Sequence, residues 1–306
     1  MVSVAIGLAL VAGLLTVLAS TSSNSKTNER TSELMTNGRY ALDALRHELR
    51  QAGFRGYTWA EPTAPDTAAL GAFTNECLEL GATSTSFVSN IRQGVWGSDN
   101  TNPFSSTCIP SANYASNNAG IGSDVLVIRG VADLPTTTPQ ANTVYFRSAY
   151  AVGQIFRGAV GPTFTGTQTP LADFAVKVYA YYVSPYTNSA TESPKVPALY
   201  RVALQSNGSM VRELVASGIE EFQVQYGVLT TAPDTRYYDI LTGTSTNTLA
   251  SDWDNVNSVR IWLLARNEIA EPEYLNTSSY QMGNKTVTVN DGYRRQLFTT
   301  VVQLRN

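Results

Sequence analysis

The residue types that could carry out chemistry are few in this chain of 306 residues. It contains one histidine, His47, and two cysteines, Cys77 and Cys108. One histidine cannot build a histidine-rich metal site. A Ser-His-Asp triad would have to take His47 from a segment whose pattern is that of a structural helix. We therefore expect no catalytic residue, no metal ligand and no bound cofactor.

The acidic residues do not form a recognisable site either. Glu220 and Glu221 are adjacent, and neighbours in a strand point to opposite faces of a sheet, so they cannot act as a carboxylate pair. Asp252 and Asp254 fall in a loop-like segment that lacks the Asp-x-Asp-x-Asp/Asn-Gly spacing of a calcium loop. We interpret Asp252 and Asp254 as solvated loop charges.

The two cysteines suit a structural role better than a catalytic one. In an exported chain, a single pair of cysteines predicts one disulfide, here Cys77–Cys108. The segment between them is rich in Ser, Asn, Gly and Thr, which such a bridge would tie down. The alternative is two unpaired buried thiols.

The composition argues against a general affinity for nucleic acid. The net charge is −3 and the isoelectric point is near 5.3, and no basic stretch offsets this balance. We interpret Arg46, Arg50 and Arg55 as a solvated or subunit-facing surface, with a DNA contact as the alternative.

The sixteen tyrosines predict ordinary sheet packing, with an adhesive surface as the alternative.

The first twenty residues are the element around which the chain is organised. No charged side chain occurs before Lys26, and a helix of this length spans roughly 28–30 Å, close to a bilayer core. Three interpretations are open: a cleaved secretory signal, a membrane anchor, or a helix that lies first in the membrane and later in a filament core. A signal would need a basic start, which is missing. The residues assigned to this membrane or filament-core helix are Val4, Ile6, Leu8, Leu10, Val11, Leu14, Leu15, Val17 and Leu18.

A second helical pattern follows a polar stretch at residues 20–31. Its apolar residues recur at spacings of three, four and seven and predict one stripe that packs on a sheet. This stripe consists of Leu34, Ala41, Leu42, Leu45 and Leu49. We expect one helix of about fifty residues, loosened at residues 20–28 and ended by Gly53. A helix that runs on into the folded part favours the filament interpretation.

The rest of the chain predicts a β-rich head. Residues 54–120 are rich in turn formers, with short strands expected only at 77–80 and 86–88, and residues 230–252 are expected to be loop. Alternation at 219–226 places Phe222, Val224 and Tyr226 inward and Gln223 outward. The predicted class is α+β, with a long N-terminal helix on a mainly antiparallel sheet and a disulfide-tied loop region. The predicted division is a helix at 1–53 (apolar 1–20, amphipathic 21–53) and a head at 54–306 (loop region 54–120, strands 121–306).

Several segments carry a family resemblance. They are residues 10–15 (Leu-Val-Ala-Gly-Leu-Leu), 37–43 (Asn-Gly-Arg-Tyr-Ala-Leu-Asp), 49–56 (Leu-Arg-Gln-Ala-Gly-Phe-Arg-Gly), 122–127, 198–201, 259–266 (Val-Arg-Ile-Trp-Leu-Leu-Ala-Arg) and 293–306. In this order they resemble PilW-type minor pilins of bacterial type IV pili, from the first helix to the last strand. The resemblance implies a pilin-like fold and a structural subunit rather than an enzyme.

One departure from the family concerns the start of the chain. Pilins of this kind begin, after leader cleavage, with a Phe-Thr-Leu-type sequence and a glutamate at the fifth position, and Met1 would fall just after that glutamate. We expect the sequence to begin at an internal methionine. Leader cleavage, N-methylation and docking through that glutamate are therefore assigned to no residue here.

The function expected from the resemblance is a minor pilin that helps to prime or tip the filament. Its partners would be other pilin subunits, through their N-terminal helices, and the inner membrane before assembly. The head would lie in the periplasm before assembly and in the extracellular pilus afterwards. The alternatives are a major filament subunit, a type II secretion pseudopilin and a pilus-borne adhesin.

Overall fold

One long helix precedes a head of antiparallel strands. The computed structural model describes residues 2–62, 67–79, 82, 86–116, 122–166, 169–231, 234–241 and 253–304. Helix α1 runs from Val2 to Leu49, 48 residues, which is a length of about 72 Å. The short helices α2 (Thr67–Leu70) and α3 (Ser86–Ser89) lie in the region that follows.

Helix α1 is continuous through residues 20–28, so the loosening expected there is wrong. Further along this polar part of the helix, the hydroxyls of Thr31 and Thr36 each donate to the carbonyl four residues earlier, at 2.8 Å. Beyond Leu49 the chain makes tighter turns. Gly53 then takes a φ of 76° and donates its N–H to the carbonyl of Arg129 at 2.9 Å.

The larger sheet has seven strands. They are β1 (Val95–Ser98), β2 (Val125–Val131), β3 (Val144–Ala149), β4 (Gly153–Arg157), β5 (Leu171–Ser184), β6 (Ala198–Leu204) and β7 (Met210–Ser217). Strand β5 is its centre, because its 14 residues pair with β2, β3 and β6, all antiparallel. Strand β7 pairs with β6.

The smaller sheet has four strands in the order β13-β10-β8-β9. They are β8 (Ile219–Thr231), β9 (Asp234–Tyr238), β10 (Val256–Arg266) and β13 (Arg295–Gln303), and every pair is antiparallel. A hairpin of β11 (Ser279–Met282) and β12 (Lys285–Thr288) lies between β10 and β13 in the chain. Helix α1 contacts β13 and β10 of this sheet and β7 of the larger one.

One hydrophobic core joins the helix and both sheets. Phe222, Val224 and Tyr226 of β8 are buried. The ring of Trp253 lies 4.7 Å from that of Tyr226 and 6.1 Å from that of Trp96 in β1. The predicted α+β class, with an N-terminal helix on antiparallel sheets, is confirmed at this level.

The predicted disulfide between Cys77 and Cys108 is present, and the bonded residues are 31 positions apart. The loop that it closes contains α3 and β1. Cys77 itself is fully buried in the core. The bridge therefore anchors this segment against the larger sheet.

Three local predictions are wrong. Residues 86–88 belong to helix α3 rather than a strand, and the N–H of Val88 donates to the carboxylate of Glu76 at 3.1 Å. A helical turn lets the adjacent Phe87 and Val88 both be buried. Residues 77–79 form no strand, and residue 80 lies outside the described part. The expected loop at 230–252 contains β9.

Replacing both cysteines by alanine is expected to lower the free energy of unfolding by about 3–4 kcal/mol, since the unfolded chain regains the entropy of a closed loop. Guanidinium unfolding followed by tryptophan fluorescence measures this. The comparison is valid if the variant keeps the parent's circular dichroism spectrum. An unchanged unfolding midpoint would mean that the packing of α3 and β1 holds the loop without the bridge.

Candidate assembly helix

The N-terminal half of α1 exposes a row of large apolar side chains. Each of its six described members exposes between 54% and 65% of its surface. They are Leu10, Val11, Leu14, Leu15, Val17 and Leu18. The side chains of Val4, Ile6 and Leu8, predicted for the same role, lie outside the described residues. We call the six exposed residues the apolar stripe.

The apolar stripe belongs to a stretch of α1 whose described side chains, from Leu10 to Lys26, are all exposed. At about 100° of rotation per residue, the six positions fall within one arc of roughly 160° on the helix surface. The residues of α1 that are buried against the head occupy an arc roughly opposite to it. Among the described residues, nothing from the head covers the stripe.

The C-terminal half of α1 is held by a different set of side chains. Leu34, Ala41, Leu45 and Leu49 are buried, and Leu42 is partly buried and packed against the core. Gly38 lies directly against the ring of Phe298 in β13, since a Cβ at this position would be 2.2 Å from the ring. The glycine permits this close approach of helix and sheet.

Polar contacts fix the rotation of the helix on the head. The amide of Asn37 donates to the hydroxyl of Ser217 at 3.1 Å, and Lys177 donates to the side-chain oxygen of Gln51 at 3.2 Å. Glu48 lies 3.8 Å from Arg201, which also pairs with Glu213 at 2.8 Å.

A neutral tyrosine completes this polar contact region. The guanidinium of Arg201 lies over the ring of Tyr179, 4.7 Å from its centroid. Burial raises the pKa of Tyr179 to about 12, and the carboxylate of Glu48 acts in the same direction. The hydroxyl of Tyr179 is therefore un-ionised at neutral pH and adds no negative charge beside Glu48 and Glu213.

The residues considered for catalysis or metal binding are not brought together. His47 is exposed and has Gln51 as its nearest side-chain partner, at 3.5 Å. Glu220 pairs with Arg295 at 2.5 Å and Glu221 with Lys285 at 2.8 Å. Asp252 lies outside the described residues. Within the part of the chain that the structure describes, no group of His, Cys, Asp and Glu is placed to hold a metal ion.

Most tyrosines of the described strands are buried or partly buried. Tyr181 and Tyr182 are fully buried, and the ring of Tyr182 stacks on that of Tyr200 at 6.1 Å. Tyr238 in β9 is exposed, and so are Tyr40, Tyr57 and Tyr150 outside the strands. This placement matches the packing interpretation rather than an adhesive surface.

Among the described residues, none of the helices combines the length and the apolar character needed to cross a membrane.

A long helix that carries an exposed apolar stripe and is attached to an α+β head defines the architectural class of this chain. Residues 180–306, about two fifths of the chain, match the sequence model of the family described as Type IV Pilus-assembly protein W. This match confirms the resemblance to PilW-type proteins over those residues. A search of curated proteins found no match, and neither did a search of solved structures.

The matched segment is the part of the head that holds the helix. It contains β6 to β13, and therefore β7, β10 and β13, which contact α1. The sequence reading did not identify Gly38 as a packing residue. A glycine within a helix lowers the stability of the helix by about 1 kcal/mol relative to alanine. Its presence at position 38 was therefore the signal that could have indicated a close contact.

Replacing Gly38 by valine is expected to lower the free energy of unfolding by about 1–3 kcal/mol, because the new side chain overlaps the ring of Phe298. Chemical unfolding of the full chain measures this. The matched control is Gly13→Ala on the same helix, where a Cβ would meet no atom within 4 Å. Equal stability of the Gly38→Val variant and the parent would contradict the described helix–sheet contact.

Proposed function

We propose that this chain is a structural, non-enzymatic subunit of a type IV pilus, specifically a minor pilin that helps to prime the filament. The head is presented on the outside, and the N-terminal half of α1 packs with the corresponding helices of other pilus subunits. The match of residues 180–306 to a pilus-assembly family supports this assignment.

The observation that carries the proposal is the apolar stripe. Fully burying a leucine or valine side chain contributes about 1.5–3 kcal/mol, so six of them represent on the order of 10 kcal/mol before the cost of association. No packing within the described chain uses this surface. A partner with an apolar surface would gain that energy on assembly.

Small residues near the stripe support close packing between helices. A Cβ at Gly7 or Gly13 would meet none of the described atoms within 4 Å, apart from the neighbouring backbone of the helix itself. The head therefore does not require glycine at either position, in contrast to Gly38. Small residues allow apolar helices to approach each other closely, which favours a role for Gly7 and Gly13 in contacts between subunits.

The length and attachment of the helix suit the same role. The helix shares grooves with the head from Asn24 onward and is buried against it from Leu34, so roughly 33 Å of the helix precede the part that lies against the head. Such an extension can reach the helices of neighbouring subunits while the head stays outside. The buried residues from Leu34 to Leu49 and the polar contacts of Asn37 and Glu48 would keep the angle between head and helix fixed during packing.

Replacing Leu10 or Leu14 by arginine is expected to reduce incorporation into sheared pili at least about tenfold, because an unpaired charge between apolar helices costs several kcal/mol. Quantitative mass spectrometry of sheared filaments, normalised to the cellular amount of the subunit, measures incorporation. The matched control is Leu134→Arg, which introduces the same charge at an exposed position of the head.

The control variant should be incorporated like the parent. Normal amounts of the Leu10→Arg or Leu14→Arg subunit in sheared filaments would contradict the assigned role of the apolar stripe. Absence of the parent chain from pili under all conditions would contradict the proposed function as a whole.

A further inference from the structure

A cavity of about 470 Å³ lies beside the C-terminal end of α1, where β9, β10 and β13 meet. The lining side chains include Arg46, Arg50, Tyr237, Asn257, Ser258 and Gln303. None of the described lining residues is acidic. We call this feature the arginine cavity.

The positive charge of the arginine cavity is poorly compensated. Arg46 has an exposed ion pair with Asp43 at 3.5 Å, an arrangement that contributes little in water. The described residues provide no ion pair for Arg50. Arg260 adds a third guanidinium nearby, 3.9 Å above the ring of Tyr237. The cavity therefore favours an anionic group.

An acidic loop lies at the other end of β10. Residues 267–275 read Asn-Glu-Ile-Ala-Glu-Pro-Glu-Tyr-Leu. Glu271 pairs with Arg294 at 2.9 Å, whereas Glu268 and Glu273 have no ion pair among the described residues. Ile269 and Leu275 are half or more exposed. We call residues 267–275 the acidic loop.

The helix beside the acidic loop does not neutralise it. The part of α1 that shares grooves with this loop carries Lys26 and Arg30, but also Glu29 and Glu33. These four side chains contribute two charges of each sign. The acidic loop therefore keeps an excess of negative charge and two exposed apolar side chains.

The two features are placed for contact between copies rather than within one chain. The 11 residues of β10 separate them, a distance of about 35 Å along the strand. Both lie beside α1, the cavity at its C-terminal end and the loop along its middle. A contact between such unlike surfaces is heterologous and can repeat from one molecule to the next without closing.

We propose that the acidic loop of one copy of this chain docks into the arginine cavity of the next copy. Glu268 and Glu273 face the guanidinium groups of Arg46 and Arg50. Ile269 and Leu275 pack near Val301, a half-exposed residue of the cavity lining. This deepens the proposed function, because it names a neighbour for the head in addition to the neighbours of the helix.

The test uses charge reversal in the full chain, kept in detergent so that the apolar stripe is covered. The cavity-reversed variant carries Arg46→Glu and Arg50→Glu, and the loop-reversed variant carries Glu268→Arg and Glu273→Arg. Sedimentation velocity measures self-association between about 50 mM and about 500 mM salt, since a charged contact weakens as salt rises. The control is Arg39→Glu, an exposed arginine of the same helix outside the cavity.

The parent is expected to self-associate at low salt, and the Arg39→Glu control should behave like it. Each reversed variant alone should associate at least about tenfold more weakly. An equimolar mixture of the two should recover association, and so should the chain that carries all four substitutions. Circular dichroism confirms that each variant is folded, and recovery in the mixture separates lost contact from lost folding.

Two results would overturn the proposal. One is a parent that shows no salt-dependent association, or reversed variants that associate as the parent does. The other is a monomeric parent that binds a poly-glutamate peptide or a DNA oligonucleotide through Arg46 and Arg50, which would assign the cavity to a different anionic partner. Salt-dependent association by a chain that never enters pili would refute the proposed function and leave this contact standing.

Discussion

The rest of the structure depends on the close approach of α1 to the smaller sheet at Gly38. The ring of Phe298 occupies the space that any larger side chain would need. This contact and the buried leucines on both sides of it, from Leu34 to Leu49, hold the helix on the head. Because α1 is one continuous helix of 48 residues, the N-terminal part of the helix that precedes the docked part must project from the head. One packing constraint thus creates both the anchored half and the exposed half.

Buried polar groups give the head the rigidity that this arrangement needs. The carboxylate of Asp124, just before β2, accepts N–H groups from Asn100 at 2.9 Å and from Val224 of β8 at 2.7 Å, and so ties the two sheets together. Burial raises the pKa of Asp124, while these two donors act in the opposite direction.

Arg129 in β2 is a second buried polar group. Burial disfavours its charged form and lowers its pKa to about 9. Arg129 nevertheless donates to the carbonyls of Phe87 and Gln93, at 2.9 and 3.3 Å. Both residues connect loop segments to strands.

The sequence predicted features with local or strongly periodic signals. The helix, the α+β class and the cysteine pair are of this kind, and so is the strand predicted at 219–226, which lies within β8. What failed depended on tertiary contacts. Phe87 and Val88 look like a strand fragment, yet Glu76 accepts the N–H of Val88 and a helical turn results. Gln223 lies on the predicted outer face of β8 but is buried, and it donates to Asn100 at 3.1 Å. Alternation within one strand cannot show that both faces of its sheet are covered.

The helix and the head surfaces differ in the physics of the contacts they can make. An apolar stripe associates through burial, which is strong, non-directional and nearly independent of salt. The arginine cavity and the acidic loop interact through partly solvated charges, which are weak but set orientation and exclude wrong neighbours. Helices that could slide or rotate against one another would acquire a defined register from the second kind of contact. A subunit that combines both can therefore be held firmly by its helix and positioned by its head.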